Sequence, residues 1–509
     1  MEKAYKKGDM LKAEIVDMDS DGLGIGKCDG YTLFVKDTVV GDICNVKIMK
    51  AKKNYAYAHL EEILIPSTFR VTPKCPKAKA CGGCQLQAVD YKKQLDFKNE
   101  KVRNNLIRIG GFEEELINEA AEPIMGMEEP FRYRNKAQYP VGFDAKTNEI
   151  ITGFYAGHTH SIIPVKDCLL GPTEYQDIVS AVLCWMKEQR VWAYNFEPFV
   201  EGVRHILLRK GFKTEEIMVC LVVSNINVVK ESAKEALISK LLLANDRIKS
   251  ISLSVNGDNT NVIMGDNFKT IYGSDTIEDS IGDLKFKISP LSFFQVNPFQ
   301  TERLYNKALE YASLSGGETV WDLYCGIGTI SLFLARKAGH VYGIEIIKEA
   351  IDDAVTNARI NGLDNTSFYV GKAEEVLPEF YENKDAKDSA KNPDVIVVDP
   401  PRKGCDEACL STMLKMAPKR IVYVSCDSAT LSRDLKILCE GGYELKKWCA
   451  CDQFPQTTHV ETVCLLSKLH EAKHHVSVKL DMDEMDITSA ESKATYEEIK
   501  KYVAEQNDM

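Results

Sequence analysis

The first sixty or so residues alternate apolar and polar positions in short runs broken by glycines: Met10 to Met18, Gly22-Leu23-Gly24-Ile25-Gly26, Tyr31 to Val35, Val39-Val40-Gly41-Asp42, Cys44 to Met49 and Tyr55 to Ile65. A period of two punctuated by turn residues predicts a small β-barrel over residues 1–62. Residues 63–290 open with a cysteine cluster and a basic helical stretch from Asp90 to Arg108, then turn strand-rich. Phe131 to Tyr139, Ile150 to Tyr155, Ile206 to Arg209, Ile217 to Val223 and Ile251 to Val255 are the clearest strands, and the pattern predicts an α+β domain. After Pro298 apolar strands (Thr319 to Leu323, His340 to Ile344, Ser367 to Val370, Val395 to Val398, Arg420 to Val424) alternate with amphipathic helices (Gly328 to Ala338, Lys348 to Asn361). That alternation predicts a doubly wound α/β domain over 291–468. Tyr381 to Asn392 reads as a charged surface loop. Residues 469–509 form an acidic extension in which Ala490 to Glu505 have helical spacing.

The chain's 509 residues suffice for about three domains. Hydrophobic and charged contents of 44% and 27% are those of an ordinary soluble protein. The net charge of −11 argues against nucleic acid only until it is resolved along the chain. His470 to Met509 carry five Lys against ten acids, whereas Val71 to Gly110 carry nine Lys or Arg against three. Local charge sets the field that a phosphate meets. In the barrel, Lys47, Lys50, Lys52, Lys53, Tyr55 and Tyr57 combine cations with rings suited to single-stranded nucleic acid, a composition that a solvated barrel edge also shows. No apolar run approaches a membrane span and Met1 to Gly8 lack a signal-peptide core, so the expected compartment is cytoplasmic, with no membrane partner and no obligate protein partner. In that reducing setting the 16 cysteines read as metal ligands or catalysts rather than a disulfide framework.

Two loops at strand ends suggest a cofactor site. Asp322-Leu323-Tyr324-Cys325-Gly326-Ile327-Gly328 closes a strand and opens a helix, and Glu345 ends the next strand where an acid can accept from ribose hydroxyls. The loop has C-G-x-G instead of the three glycines usual for NAD, which favours S-adenosylmethionine. Asp399-Pro400-Pro401-Arg402 then fixes a carboxylate at the sheet's carboxyl edge. An Asp-Pro-Pro-Tyr turn serves adenine amino-methyltransferases, which need no thiol; here Arg402 replaces the aromatic residue, and the next strand delivers Cys426. Thirty-five residues on, Thr458-His459-Val460-Glu461 delivers a carboxylate. A thiolate and a fixed base can form and then break a carbon adduct.

Cys75, Cys81 and Cys84 give C-x5-C-x2-C, and Cys168 stands apart from them. Three thiolates within ten residues are a strong metal signal. Spacing alone admits zinc, while the three-plus-one arrangement favours an iron-sulfur cluster.

Phe293-Phe294-Gln295-Val296-Asn297-Pro298, the Asp322 to Gly328 loop, Asp399 to Gly404, Ser425-Cys426-Asp427 and Phe454 to Thr462 together resemble the RNA uracil-5-methyltransferases. The barrel resembles a TRAM domain, found in the ribosomal members, and the likeness extends over residues 1 to about 468. The resemblance implies that Gln295, Tyr324, Glu345 and Asp399 contact S-adenosylmethionine, that Cys426 is the nucleophile and Glu461 the general base, and that Asp399 also holds the flipped base. It further implies a [4Fe-4S] cluster on Cys75, Cys81, Cys84 and Cys168. The implied reaction forms 5-methyluridine in 23S ribosomal RNA. The alternatives are a tRNA uracil-5-methyltransferase and a non-catalytic RNA-binding assembly factor. Two positions depart from the family pattern: Ser428 stands where proline usually follows the Ser-Cys-Asx motif, and Gln456 where histidine is frequent.

Overall fold

The computed structural model describes residues 5–469 apart from 145, 158, 197–198, 261, 266 and 383–387. The helical pattern at Ala490 to Glu505 lies outside the described residues. Strands β1 (Met10–Met18), β2 (Gly24–Cys28), β3 (Tyr31–Val35), β4 (Ile43–Ala51) and β5 (Tyr55–Ile65) close a barrel in the order β1-β2-β3-β5-β4. Its interior is filled by Ala13, Ile15, Leu33, Val35, Val46, Ile48 and Ala56, the inward half of the predicted alternation. Val39 to Asp42, expected as strand, form a turn. The Asp42 carboxylate accepts from Val39 N at 2.7 Å and from Ser67 N at 2.9 Å, and it pairs with Arg70, so a local side chain takes the hydrogen bonds that a ladder would use. Outside the barrel the rings of Phe34, Tyr55 and Tyr57 pack with centroids 5.6–5.9 Å apart.

Helix α1 (Tyr91–Arg108) starts where Asp90 accepts from Lys92 N at 3.1 Å, and it buries Gln94, Lys98, Val102 and Leu106. After α2 (Glu114–Ala120), strand β6 (Ala121–Met125) runs parallel to a strand some 320 residues later, at the far edge of the C-terminal sheet. The segment from α1 to β6 thus packs with the C-terminal layers, although it precedes the central strands in sequence.

The central sheet has the order β13-β12-β11-β10-β7-β8-β9, built from β7 (Lys136–Phe143), β8 (Ile150–Tyr155), β9 (Ile162–Pro164), β10 (Val203–Lys210), β11 (Ile217–Val223), β12 (Ile248–Val255) and β13 (Asn267–Gly273). Helices α3 (Glu174–Gln189) and α4 (Glu231–Ala244) seal it through Ile178, Val182, Trp185, Leu237 and Leu241. β7 begins later than its apolar pattern suggests, because Arg132 turns the chain at φ +55° and grips both Asp167 oxygens at 2.6 Å. The hairpin β14 (Ile277–Ile281) and β15 (Leu284–Ile288) leads into α5 (Pro298–Ala312).

The C-terminal sheet is built from β16 (Thr319–Leu323), β17 (His340–Glu345), β18 (Thr366–Val370), β19 (Val395–Val398), β20 (Arg420–Ser425), β21 (Tyr443–Cys451) and β22 (Glu461–Lys468). Its order is β18-β17-β16-β19-β20-β22-β21-β6, parallel from β18 to β20, with β22 antiparallel to β20. Strand residues alternate between two cores. Val395 and Val397 face α5, α6 (Thr329–Ala335) and α7 (Lys348–Ile360). Ile396 and Val398 face α8 (Ala373–Glu382), α9 (Asp388–Lys391), α10 (Glu407–Met416), α11 (Ser428–Glu440), α1 and α2. The α9 turn lies within the stretch expected as a loop. The strand order reverses between β16 and β19, where ligands bind in such sheets.

Candidate active site

The β16–α6 loop turns sharply: Tyr324, Gly326 and Gly328 take φ of +67°, +56° and +83°. The turn aims Gly326 N at Glu345 Oε2, 3.2 Å away, while Ile347 N donates to the other oxygen at 3.1 Å. A side chain at Gly328 would place Cβ 3.2 Å from that of Ala354, so glycine permits both the backbone sign and the close approach of α7. Asp322, at the end of β16, is fully buried and accepts from the Ser331 hydroxyl, and its second oxygen has no partner. Burial, reinforced by the charges of Asp399 and Glu345, raises its pKa to about 7. Asp399 follows the last residue of β19, and burial lifts it to about 6.

Cys426 is the first residue beyond β20 and Glu461 is the first of β22. Because Ser425 is paired with Thr462 in that antiparallel ladder, the two residues meet across neighbouring strands. Gln295, Tyr324, Glu345, Asp399, Cys426 and Glu461 all line one cavity of ≈ 700 Å³. Gln295 is fixed there by its carbonyl, which accepts from Asn135 Nδ2 at 2.9 Å, and by Gln453 Nε2, 3.4 Å from its Oε1. Glu461 is 2% exposed and its Oε2 has no partner. Burial first, then the Asp399 charge, raises its pKa well above the usual carboxylate range. The Cys426 thiol is pushed up to about 12 by burial and then by Glu461 and Asp399. Arg402, on the cavity wall, lowers both. The site therefore disfavours negative charge until a cation or a substrate changes it.

Several lining residues were not singled out from sequence as site residues: Gln85 from the cysteine segment, Arg134 before β7, and Phe454, Thr457 and His459 from the β21–β22 loop. That loop is held by α1. Lys98, with no exposed surface, pairs with Asp452 and donates to Phe454 O at 3.0 Å, and Tyr91 donates to the other Asp452 oxygen at 2.8 Å. Gln94 Nε2 reaches Gln456 Oε1 at 3.1 Å. The basic helix thus spends Lys98 on internal pairing, where no phosphate reaches it. Gln456 adopts φ +71°, and its carbonyl accepts from Gln85 N and Leu86 N, both at 3.0 Å.

Cys75, Cys81, Cys84 and Cys168 line a second cavity of ≈ 370 Å³ whose wall carries no carboxylate or imidazole. Burial raises the thiols of Cys81, Cys84 and Cys168, and neighbouring cysteines add to each shift, so the four share one electrostatic environment. Among the described residues no three His, Cys, Asp or Glu side chains, the four cysteines included, stand as a group that could hold a metal ion, so the structure does not support the expected iron-sulfur cluster. Gly83, Arg134 and Phe293 line both cavities. Among the described residues no helix is long and apolar enough to cross a membrane.

Comparison with known proteins gives a consistent answer. Residues 214–469 match the family described as tRNA (Uracil-5-)-methyltransferase, and residues 5–60 match the TRAM domain. An uncharacterized RNA methyltransferase of Clostridium tetani is 46% identical over 468 residues, covering 92% of this chain and 98% of its own length. One of Halalkalibacterium halodurans is 45% identical over 460 residues, covering 90% and 97%. Among solved structures, the Pyrococcus abyssi tRNA (uracil-54, C5)-methyltransferase in complex with S-adenosyl-L-homocysteine superposes with a TM-score of 0.70 at 28% identity, over 90% of this chain and 99% of that one. With its N-terminal TRAM barrel and a C-terminal methyltransferase fold, the chain belongs to the S-adenosylmethionine-dependent RNA uracil-5-methyltransferase family.

Proposed function

We propose that the protein methylates carbon 5 of a uridine in 23S ribosomal RNA through a covalent bond between Cys426 Sγ and carbon 6 of the base. The observation that carries this reading is the meeting of Cys426 and Glu461 across β20 and β22, on the wall of the cavity that also presents the cofactor loop. Gln295, Tyr324, Glu345 and Asp399 hold S-adenosylmethionine, whose sulfonium supplies the methyl group. The uridine leaves its stack to enter the cavity.

Carbon 5 of uracil is a poor nucleophile until Cys426 gives its proton to solvent water and adds to carbon 6 as thiolate. The electron pair of the 5,6 double bond then becomes an enolate over carbon 5 and O4, and carbon 5 takes the methyl group. Glu461 removes the remaining carbon 5 proton, the pair from that C–H bond restores the double bond, and Cys426 leaves as thiolate. A carboxylate with a raised pKa is the stronger base once ionised, which suits Glu461 to this step. Arg402 eases the ionisation of both groups.

Cys75, Cys81, Cys84 and Cys168 are proposed to hold a [4Fe-4S] cluster. What supports this is an all-thiol donor set on the wall of one cavity. Since methyl transfer involves no redox step, the cluster would order the loop that supplies Gly82, Gly83 and Gln85 to the active site.

A tRNA substrate is the second reading. The Pyrococcus abyssi enzyme, named for a tRNA, matches across almost its whole length, so overall architecture does not separate the two substrates. Mass mapping of 5-methyluridine in 23S ribosomal RNA and in tRNA from cells lacking the protein decides. Loss from 23S RNA is expected, loss from tRNA alone would select the second reading, and no loss from either would overturn the enzymatic role.

A further inference from the structure

The barrel touches the catalytic loop directly. Its β1–β2 turn is tied by Asp19, whose Oδ1 accepts from Asp21 N at 3.0 Å and from Leu23 N at 2.8 Å. This presents Gly22 at φ +86° against the loop that precedes β22. A Cβ on Gly22 would lie 3.0 Å from Thr458 Cγ2 and 3.1 Å from Gln85 Cβ, so the turn fits there with no room to spare. Lys101 of α1 closes the contact. Its Nζ donates to Ser20 O in the turn at 3.3 Å and to Thr458 O at 3.1 Å, three residues before Glu461. The charges facing Lys101 are Asp19 and Asp21 from the turn and Asp427, the N-cap of α11, next to Cys426.

We propose that Lys101 is a positioning residue that clasps the barrel turn to the loop carrying Glu461, so that the TRAM barrel is part of the scaffold of the active site as well as a domain apart from it. Two elements distant in sequence share this one ammonium: the turn at Ser20 and the loop at Thr458. Val460, between Thr458 and Glu461, is buried and transmits any displacement of the Thr458 carbonyl into β22. The step most exposed to such a displacement is removal of the carbon 5 proton, since the base must reach a single atom. This inference rests on the roles proposed above for Cys426 and Glu461.

The test uses the full-length protein, unmodified transcripts of 23S ribosomal RNA and tRNA, and tritiated S-adenosylmethionine. Lys101→Met keeps the aliphatic stem and removes the donor. It should lower kcat by about tenfold and KM for RNA in step with it, so that kcat/KM changes by less than about twofold, the pattern of a slowed step that follows formation of the adduct. Covalent RNA–protein complex surviving a denaturing gel should build up, because resolution of the adduct is what slows. Lys101→Arg, which can donate to both carbonyls, should recover most of the rate. Gly22→Ala, pressing on Thr458 from the barrel side, should show the same accumulation and decides the matter if Lys101→Met melts early. A loss expressed in KM alone, unchanged turnover, or slowed turnover without accumulated complex would overturn the proposal. Glu461→Gln serves as the control: if it traps no adduct on either transcript, the assignment of the catalytic pair fails, whereas if it traps one and both clasp variants turn over normally, only the coupling fails.

Discussion

Lys98→Met probes the brace that shapes the active-site loop. The substitution removes an ammonium that has no solvent contact and leaves the Asp452 carboxylate, equally enclosed, with Tyr91 as its remaining side-chain donor. Stripping one partner from a buried ion pair costs about 3–5 kcal/mol, because the abandoned charge is not rehydrated. The Phe454 carbonyl also loses its 3.0 Å donor but keeps Thr457 Oγ1 at 2.8 Å and Thr457 N at 3.2 Å, so this loss adds little to the first figure. The expected destabilisation is therefore about 4 kcal/mol. Lys98→Met/Asp452→Asn leaves no unpaired charge and should recover about 2 kcal/mol or more relative to the sum of the single variants. Urea unfolding followed by tryptophan fluorescence reads this layer, since the buried Trp448 indole donates to Ile117 O at 2.8 Å. A single variant that costs less than about 1 kcal/mol, or costs that simply add, would refute the claim that this pair holds the loop.

The electrostatics and the cysteine cavity give two further expectations. Burial and the Glu461 and Asp399 charges push the Cys426 thiol up to about 12, so in the free protein it is protonated at neutral pH and its thiolate fraction grows with pH. Iodoacetamide labelling of the Cys426 peptide, followed by mass spectrometry, should accelerate about tenfold per pH unit between pH 7 and 9, and Arg402→Met should slow it at every pH; a plateau near pH 8 would contradict the assignment. Cys75→Ser and Cys168→Ser should each remove the iron and sulfide measured per chain in anaerobically purified protein. Retention of both would show that the cavity is not the cluster site.

The strands of the barrel and of the doubly wound sheet were legible because their alternation is local. The tip residues Asp322, Glu345 and Asp399 were legible too, because glycines and prolines mark where strands stop. The β6 edge strand was not: Ala121–Met125 is short and contains Pro123, which is tolerated only because the strand lies at the sheet's edge. The charge count over Val71 to Gly110 read Lys98 as part of an outward field, yet its partner Asp452 lies 354 residues away and no local pattern announces it. Arg134 and His459 were not singled out as site residues for a similar reason, since lining a cavity is a property of loop packing rather than of spacing. Asp42 shows the opposite error, where an apolar pair beside a glycine suggests a strand and one carboxylate makes a turn.

In the proposed reaction Cys426 acts before methyl transfer and Glu461 after it. Denaturing gel analysis of Cys426→Ala and Glu461→Gln, each incubated with unmodified 23S ribosomal RNA or tRNA transcript and S-adenosylmethionine, tests that order in one experiment. No covalent complex is expected with Cys426→Ala and a persistent one with Glu461→Gln, its RNA carrying the transferred methyl group. A covalent complex with Cys426→Ala, or normal turnover by Glu461→Gln, would contradict that order.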